Sequence, residues 1–294
     1  MNCFKIAGPR TIAEALAFAA EAGDNAIYIS GGTDWLVNGA KKVAGGLLID
    51  LTQVEELTYI EERADHLVMG AGVTFSRIAT NPLVWEKARC LAQAAAQIGS
   101  TQIRNRATIG GNVANAAPAA DGVPPLMALD AEVLAIKGEI RRWVPMGEAV
   151  SDLCGGLMPG TLFAAFRVPL LLNSVSAFVK LGSRSTVSVA KLNLAARIQT
   201  TEDGRSRNVR LAMGAAAANA FRVTAVEKLW EGRSCEEALA EELAGGLVTQ
   251  VDRLLAGRAS LPYKREAIRG LAYDLVLDIG RAVEDGGRGN GRKA

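Results

Sequence analysis

The sequence predicts an α+β protein built in two main parts, and three observations carry that prediction. Short strand-like runs alternate with helix-like runs up to about residue 170. Three strand-like runs then follow one another with turn-rich or charged connections between them, which suggests a small antiparallel sheet. From Val223 onward, apolar residues recur at spacings of three and four, the period of an amphipathic helix. A chain of 294 residues is also long for one core and divides naturally into two or three domains.

In chain order, Cys3-Phe4-Lys5-Ile6 reads as a short strand. Thr11 is a candidate N-cap for a helix that puts Ile12, Ala15, Leu16 and Ala19 on one face, and Gly23-Asp24 ends it. Residues 25–30 form a buried strand that delivers Gly31-Gly32-Thr33-Asp34-Trp35 at its carboxyl end, followed by an amphipathic piece reaching Lys41-Lys42. Residues 47–51 make another strand, and 54–60 with 66–72 a pair of strands across a polar turn. Helices are expected at 75–79 and 85–98, with Asn81-Pro82 breaking them. Residues 132–136 and 141–145 make a hairpin, and 161–169 closes the first part. The later strands are 174–181, 192–198 and 209–214, and the helices 223–231, 235–244, 247–256 and 263–279. The expected division is therefore 1–172, with subdomains of about 1–55 and 56–172, then 173–283, then a glycine-rich, charged and disordered tail at 284–294.

Composition narrows the function. Lys+Arg and Asp+Glu nearly balance at 33 and 31, leaving a net charge of +2, without the dense basic patch that binding a phosphate backbone requires. Nucleic acid is not an expected partner. The four cysteines Cys3, Cys90, Cys154 and Cys235 lie far apart, no Cys-x-x-Cys occurs, and His66 is the single histidine, so no zinc or iron-sulfur site is expected in this chain. No apolar run is long enough to span a membrane and no signal-peptide pattern opens the chain, so a soluble, cytoplasmic protein with reduced thiols is expected.

The 99–132 stretch is the most informative. Within it Thr108-Ile109-Gly110-Gly111-Asn112 sets two side-chain-free residues together, where backbone can turn sharply and approach a ligand. One Gly-Gly pair is an ordinary tight turn. Two such pairs, at 31–32 and 110–111, with Asp121 placed after the second, fit a diphosphate held by backbone amides and a ribose or ribityl hydroxyl held by a carboxylate. Neither Gly-x-Gly-x-x-Gly nor Gly-x-x-x-x-Gly-Lys-Ser/Thr occurs, which argues against Rossmann and P-loop sites. Asp121 equally suits a turn cap before Pro124, Lys180 a surface position ending a strand, and Arg104-Asn105-Arg106 a solvated face or a partner anchor.

These residues carry a resemblance. Ser-Gly-Gly-Thr-Asp-Trp-Leu-Val at 30–37 is similar to the first flavin motif of the FAD-binding medium subunits of molybdenum hydroxylases, the xanthine dehydrogenase and carbon monoxide dehydrogenase family. Residues 102–121, Gln-Ile-Arg-Asn-Arg-Ala-Thr-Ile-Gly-Gly-Asn-Val-Ala-Asn-Ala-Ala-Pro-Ala-Ala-Asp, are similar to the second, and weaker agreement extends over essentially the whole chain. The resemblance implies a vanillyl-alcohol-oxidase/PCMH-type FAD-binding domain of two α+β subdomains, followed by a small C-terminal domain with a three-stranded antiparallel sheet and helices. It implies FAD contacts from Ile29, Ser30, Gly31, Gly32, Thr33, Asp34 and Trp35, and from Thr108, Ile109, Gly110, Gly111 and Asn112, with the pyrophosphate between the two glycine pairs. Asp121 would reach a flavin-side hydroxyl, and Phe163 and Lys180 would line the cofactor.

The resemblance also implies a large molybdopterin subunit and a small [2Fe-2S] subunit as partners, in a dimer of heterotrimers. Electrons would arrive from the clusters and leave to NAD+ or another acceptor, with no catalytic residue and no metal in this chain. Ser188 stands where many relatives have Asp, Trp35 is bulkier than the usual aliphatic, and no cysteine-rich insertion is present. A stand-alone flavin oxidoreductase would need an acid, base or redox cysteine beside the ring, which the glycine motifs do not supply. An assembly subunit with a vestigial site would not need all four glycines intact.

Overall fold

The computed structural model describes residues 3–38, 45–154 and 160–290, and the expected extension to Lys41-Lys42 lies outside the described residues. The chain begins with β1 (Cys3–Ala7), α1 (Ile12–Ala22), β2 (Ala26–Ile29), α2 (Trp35–Asn38) and β3 (Gly45–Asp50). The three strands are parallel in the order β1-β3-β2. Thr11 caps α1 by accepting from Glu14 N at 3.1 Å, and Gly23 ends it with φ 56°, a conformation that glycine adopts without a Cβ clash.

Next come β4 (Ile60–Arg63), β5 (His66–Gly70), α3 (Phe75–Thr80), α4 (Pro82–Lys87), α5 (Arg89–Gln97), α6 (Thr101–Arg104), α7 (Ile109–Asn115), α8 (Val123–Ala128), β6 (Glu132–Lys137), β7 (Ile140–Pro145), α9 (Met146–Cys154) and β8 (Leu162–Pro169). The five strands form an antiparallel sheet in the order β4-β5-β8-β6-β7. Strand β8 is covered on both faces. Leu162 and Ala164 join Ala15, Ile49 and Leu57 beneath the parallel sheet, while Phe163, Phe166 and Val168 face the helices. A register shift against β6 explains how Phe163 and Phe166 reach the same side despite their unequal parity.

In this part of the chain three details differ from the sequence-based expectation. Residues 54–60 do not make a full strand, because one-turn 3-10 helices at Leu51–Gln53 and Glu55–Leu57 precede Ile60. The helix expected at 85–98 is two, broken at Ala88 (φ −141°, ψ 50°). The 108–112 segment is not an open loop either, since its glycines occupy the first turn of α7.

The last part comprises β9 (Ser174–Leu181), β10 (Leu192–Thr200), β11 (Ser206–Gly214), β12 (Phe221–Arg222), α10 (Thr224–Trp230), α11 (Glu237–Leu254) and α12 (Leu261–Asn290). The three expected antiparallel strands are β9, β10 and β11, and the two-residue β12 adds a fourth at the edge, in the order β12-β11-β10-β9. The helices expected at 235–244 and 247–256 are one. α11 passes through Gly245-Gly246, where an added Cβ at Gly246 would meet Leu229 and Val226 of α10 at 3.0 Å, so the glycine sets how closely α10 packs. α12 continues through the start of the segment expected as a tail, to Asn290, and 291–294 lie outside the described residues.

This sheet is buried on both faces, and side-chain alternation decides what meets what. Leu192, Leu194, Ala196 and Ile198 of β10, with Ala177 of β9 and Val209, Leu211 and Met213 of β11, pack against α10, α11 and α12. The opposite face presents Ser176, Phe178 and Lys180 of β9, Asn193, Ala195 and Arg197 of β10, and Arg210 and Ala212 of β11 to the first part of the chain. Arg197 is 2% exposed and donates to Asp130 Oδ2 at 2.9 Å, and Arg210 Nε reaches the same carboxylate at 2.9 Å.

Candidate functional site

The carboxyl end of β2 leads from Ile29 and Ser30 into the first glycine pair. Gly31 lies directly against the backbone of Arg106 and Ala107, where any Cβ would collide with the Arg106 carbonyl. Gly32 has φ +71°, a region in which larger residues are strained, and its carbonyl accepts from Leu36 N at 3.0 Å to start α2. Among the described residues, the amides of Gly31, Gly32, Thr33 and Asp34 donate to no protein acceptor. Four successive unspent donors on one turn are the kind of group that can hold an anion. The Trp35 side chain is engaged elsewhere. Its ring packs edge-on against Phe4 of β1, with centroids 5.3 Å apart and an interplanar angle of 81°.

The second glycine pair is built differently. Thr108 is buried and N-caps α7, its hydroxyl accepting from Gly111 N at 3.1 Å. Ile109 N donates to Val73 O at 3.0 Å, Gly110 N to Ala71 O at 2.9 Å, and Asn112 N to Thr108 O at 3.0 Å. All four amides are therefore committed inside the protein, so these residues do not offer the donors expected of an open glycine loop. An added Cβ at Gly110 would meet Ala71, but Gly111 is exposed and has only the Thr108 hydroxyl near it. Gly111 contributes a bare surface, close to where Gly31 abuts residues 106–107. Asn112 accepts from Gly122 N at 3.1 Å and so ties α7 to the turn that carries Asp121.

Asp121 is buried at 6% exposure, and both its oxygens are engaged. Lys180 Nζ lies 2.6 Å from Oδ2, and Asn193 Nδ2 donates to Oδ1 at 2.7 Å. Burial pushes the Asp121 carboxyl above its ordinary value against the pull of Lys180 and Asn193. Lys180 Nζ also donates to Gln97 O at 3.1 Å. Lys180 is thus not a surface residue ending a strand, because its parity on β9 turns it into the interface between the two parts. Asn193 faces Lys180 across the β9–β10 ladder and Gly214 across β10–β11, and a Cβ at Gly214 would collide with the Asn193 amide oxygen.

Beside Lys180 opens a cavity of about 400 Å³ between residues 96–104 and the 182–188 connection of β9 to β10. The structure brings Gly31 against the segment leading into Thr108, and Asp121 against Lys180. Phe163 shares its apolar cluster with Ile109 and Val113 of α7, so it packs beneath the second glycine pair, whereas the Trp35 ring turns to Phe4. Asn193, Gln97 and Gly214 complete the Asp121 arrangement. Asn193 and Gly214 lie in the stretches 193–197 and 209–214, where agreement with the family is weak, and parity puts Asn193 and Arg197 on the same side of β10.

Comparisons with known proteins agree with this architecture. Residues 2–171 match the family described as FAD binding domain in molybdopterin dehydrogenase, and residues 177–279 match the CO dehydrogenase flavoprotein C-terminal domain. The chain is similar to the nicotinate dehydrogenase FAD-subunit of Eubacterium barkeri, at 26% identity over 294 residues covering 97% of this chain and 99% of that one. It is also similar to the carbon monoxide dehydrogenase medium chain of Hydrogenophaga pseudoflava, at 32% identity over 143 residues, 48% of this chain and 50% of that one. Among solved structures, carbon monoxide dehydrogenase from Hydrogenophaga pseudoflava superposes with a TM-score of 0.85 at 25% identity, covering 95% of this chain and 98% of that one.

Proposed function

Because the chain belongs to the family of FAD-binding domains of molybdopterin dehydrogenases, we propose that it is the electron-transferring flavoprotein subunit of a molybdenum hydroxylase complex. The observation that carries the reading is the run of uncommitted amides at 31–34, next to the bare surface at Gly111. That arrangement fits the diphosphate of FAD, since several converging neutral donors hold a doubly charged group without any cation.

In this reading Gly31, Gly32, Thr33 and Asp34 bind the phosphates through their backbone, with Ile29 and Ser30 fixing the turn behind them. Thr108, Ile109, Gly110 and Asn112 shape the opposite wall, and Gly111 keeps it open. Asp121 fixes Lys180, which lines the cavity at the interface. Phe163 and Trp35 support their subdomains behind the site. When bound, FAD couples single-electron transfer to a two-electron acceptor. No side chain in this set acts as nucleophile, acid or base, and hydroxylation belongs to the molybdopterin-bearing partner.

The same reading supplies a large molybdopterin subunit and a small [2Fe-2S] subunit, assembled as a dimer of heterotrimers in the cytoplasm, with NAD+ or another molecule as electron acceptor. It divides the chain at 172 into a flavin-binding part and a C-terminal part. Among the described residues no helix is long and apolar enough to cross a membrane. Purification from the native cell, followed by flavin absorbance and molybdenum and iron analysis, tests the proposal. A yellow complex carrying both metals is expected; a colourless protein, or an active monomer without them, refutes it.

A further inference from the structure

Three consecutive side chains at the start of α12 each hold a different element. Tyr263 carries Lys191, whose ammonium lies 4.6 Å from the ring centroid just ahead of β10. Arg265 Nε donates to Asp252 Oδ1 of α11 at 2.9 Å. Between them, Lys264 Nζ donates to the carbonyl of Ala215 at 2.7 Å, in the turn that follows β11. Burial pulls the Lys264 ammonium below its ordinary value, and the nearby Arg258 charge adds to that. Among the described residues no carboxylate pairs with it. Lys264 is thus a partly desolvated cation held against a single carbonyl.

That carbonyl belongs to a strained residue. Ala215 has φ +60°, and its amide donates to Pro118 O at 2.9 Å. Pro118 stands in the segment that leaves α7 through Ala116, also left-handed at φ +46°, and reaches Asp121 three residues later. Two alanines in a region that favours glycine persist only where the contacts around them over-determine the backbone. Ala215 is held at both ends, its N–H on Pro118 and its carbonyl on Lys264. The adjoining Gly214 lies against the Asn193 side chain, and Asn193 donates to Asp121 Oδ1 at 2.7 Å. The 214–215 turn therefore braces Asp121 by two routes, one through the Pro118 carbonyl and one through Asn193.

We propose that Lys264 is a positioning residue of the flavin site. It acts through Ala215: Lys264 fixes the turn, the turn fixes Pro118 and Asn193, and these set where Asp121 and its partner Lys180 stand. The inference rests on the flavoprotein reading for what Asp121 serves, while the brace itself is a property of the chain. Tyr263 and Arg265 tie α12 to the C-terminal part alone. Of the three neighbouring side chains, only Lys264 reaches through to the first part.

The test uses the full chain as purified from the native cell, with Lys264→Met, Lys264→Arg and Arg265→Ala beside the unaltered protein. Hydrogen–deuterium exchange of residues 116–122 reads the brace without any cofactor, and the FAD dissociation constant, measured by refilling deflavinated protein, reads its consequence. In Lys264→Met the 116–122 amides should exchange about tenfold faster and FAD should bind about tenfold more weakly, the loss of one charge-assisted hydrogen bond. Lys264→Arg keeps a cationic donor and should recover most of both. Lys264→Gln, with a shorter neutral donor, should fall between them and serves if the methionine variant does not fold. Arg265→Ala should lower the melting temperature slightly and move neither reading. Unchanged exchange at 116–122 in Lys264→Met overturns the proposal, as does faster exchange with unchanged FAD affinity. Equal loss of FAD in Arg265→Ala also overturns it, because the helix end would then act as a whole. A protein that never holds flavin, yet shows the faster exchange, refutes the flavoprotein function and leaves the brace standing.

Discussion

An added Cβ at Gly110 would meet the Ala71 carbonyl oxygen at 2.7 Å, whereas at Gly111 it would meet only the Thr108 hydroxyl, at 3.1 Å. The two glycines therefore separate folding from binding. Gly111→Val is expected to abolish flavin occupancy while shifting the melting temperature by only a few degrees, because valine in a first helical turn costs about 1 kcal/mol or less. Gly110→Val is expected to unfold the protein outright, as it overpacks a buried backbone contact. Flavin absorbance against thermal melts distinguishes the two. The buried Asp121–Lys180 pair gives a second expectation at this scale. Asp121→Asn or Lys180→Met alone leaves an uncompensated buried charge and should destabilise by about 3–5 kcal/mol, whereas the double variant should lose much less than the sum. Urea unfolding of all four proteins measures the coupling. The glycine pairs were legible in the sequence as places of close backbone approach, which Gly31 against Arg106 and Gly110 against Ala71 show. What was not legible is that the amides at 109–112 close on Val73, Ala71 and Thr108, since those acceptors come from the turn after β5, far back in the sequence, and from the cap itself.

Helix α5 of the first part and helix α12 of the last meet at Asp278. Arg89 Nη2 donates to its Oδ1 at 2.7 Å, and Gln93 Nε2 to its Oδ2 at 2.6 Å. Burial pushes the Asp278 carboxyl up, but the Arg89 and Gln93 hydrogen bonds outweigh it and hold the group below its ordinary value. A folded-state pKa lowered in this way contributes stability that is present above the unfolded carboxylate value and is lost as pH falls through the folded one. Asp121 has the opposite sign, its raised pKa favouring the protonated form in the fold. Stability of the unaltered protein below about pH 4 should therefore fall more steeply than that of Asp278→Asn, and denaturant midpoints at pH 7 and pH 3.5 check it. At this scale the sequence showed which segments are helical better than where they break. Gly245-Gly246 resembles a helix stop, yet it is a packing notch for α10, and Ala88 breaks a helix with no proline or glycine to announce it.

Across the whole molecule, three cores are joined by shared strands. β8 belongs to two of them, and the C-terminal sheet divides its residues by parity between the other pair. The α+β class and the three long C-terminal strands were readable from periodicity. The sharing was not, because a strand buried on both faces reads as a plain apolar run and does not say which neighbour each face will meet. A cofactor bound by the folded chain and not by the unfolded one stabilises the fold by mass action. Removing the flavin should therefore lower stability by RT ln(1 + [L]/Kd), about 2.7 kcal/mol at a free concentration one hundred times Kd, and adding it back should restore the melt.

The double burial of β9 and β10 has a practical corollary. Neither strand can change register by one residue without exchanging its α11-facing apolar set for Lys180, Asn193 and Arg197, so the ladder on each side of the 182–188 turn behaves as a fixed socket. The turn between them is bonded mainly to itself, Arg184 to Val187 and Ser188 to Arg184, and fixes neither ladder. Its sequence can be exchanged without disturbing the register, and Leu181 and Leu192 mark the two ends of such a graft.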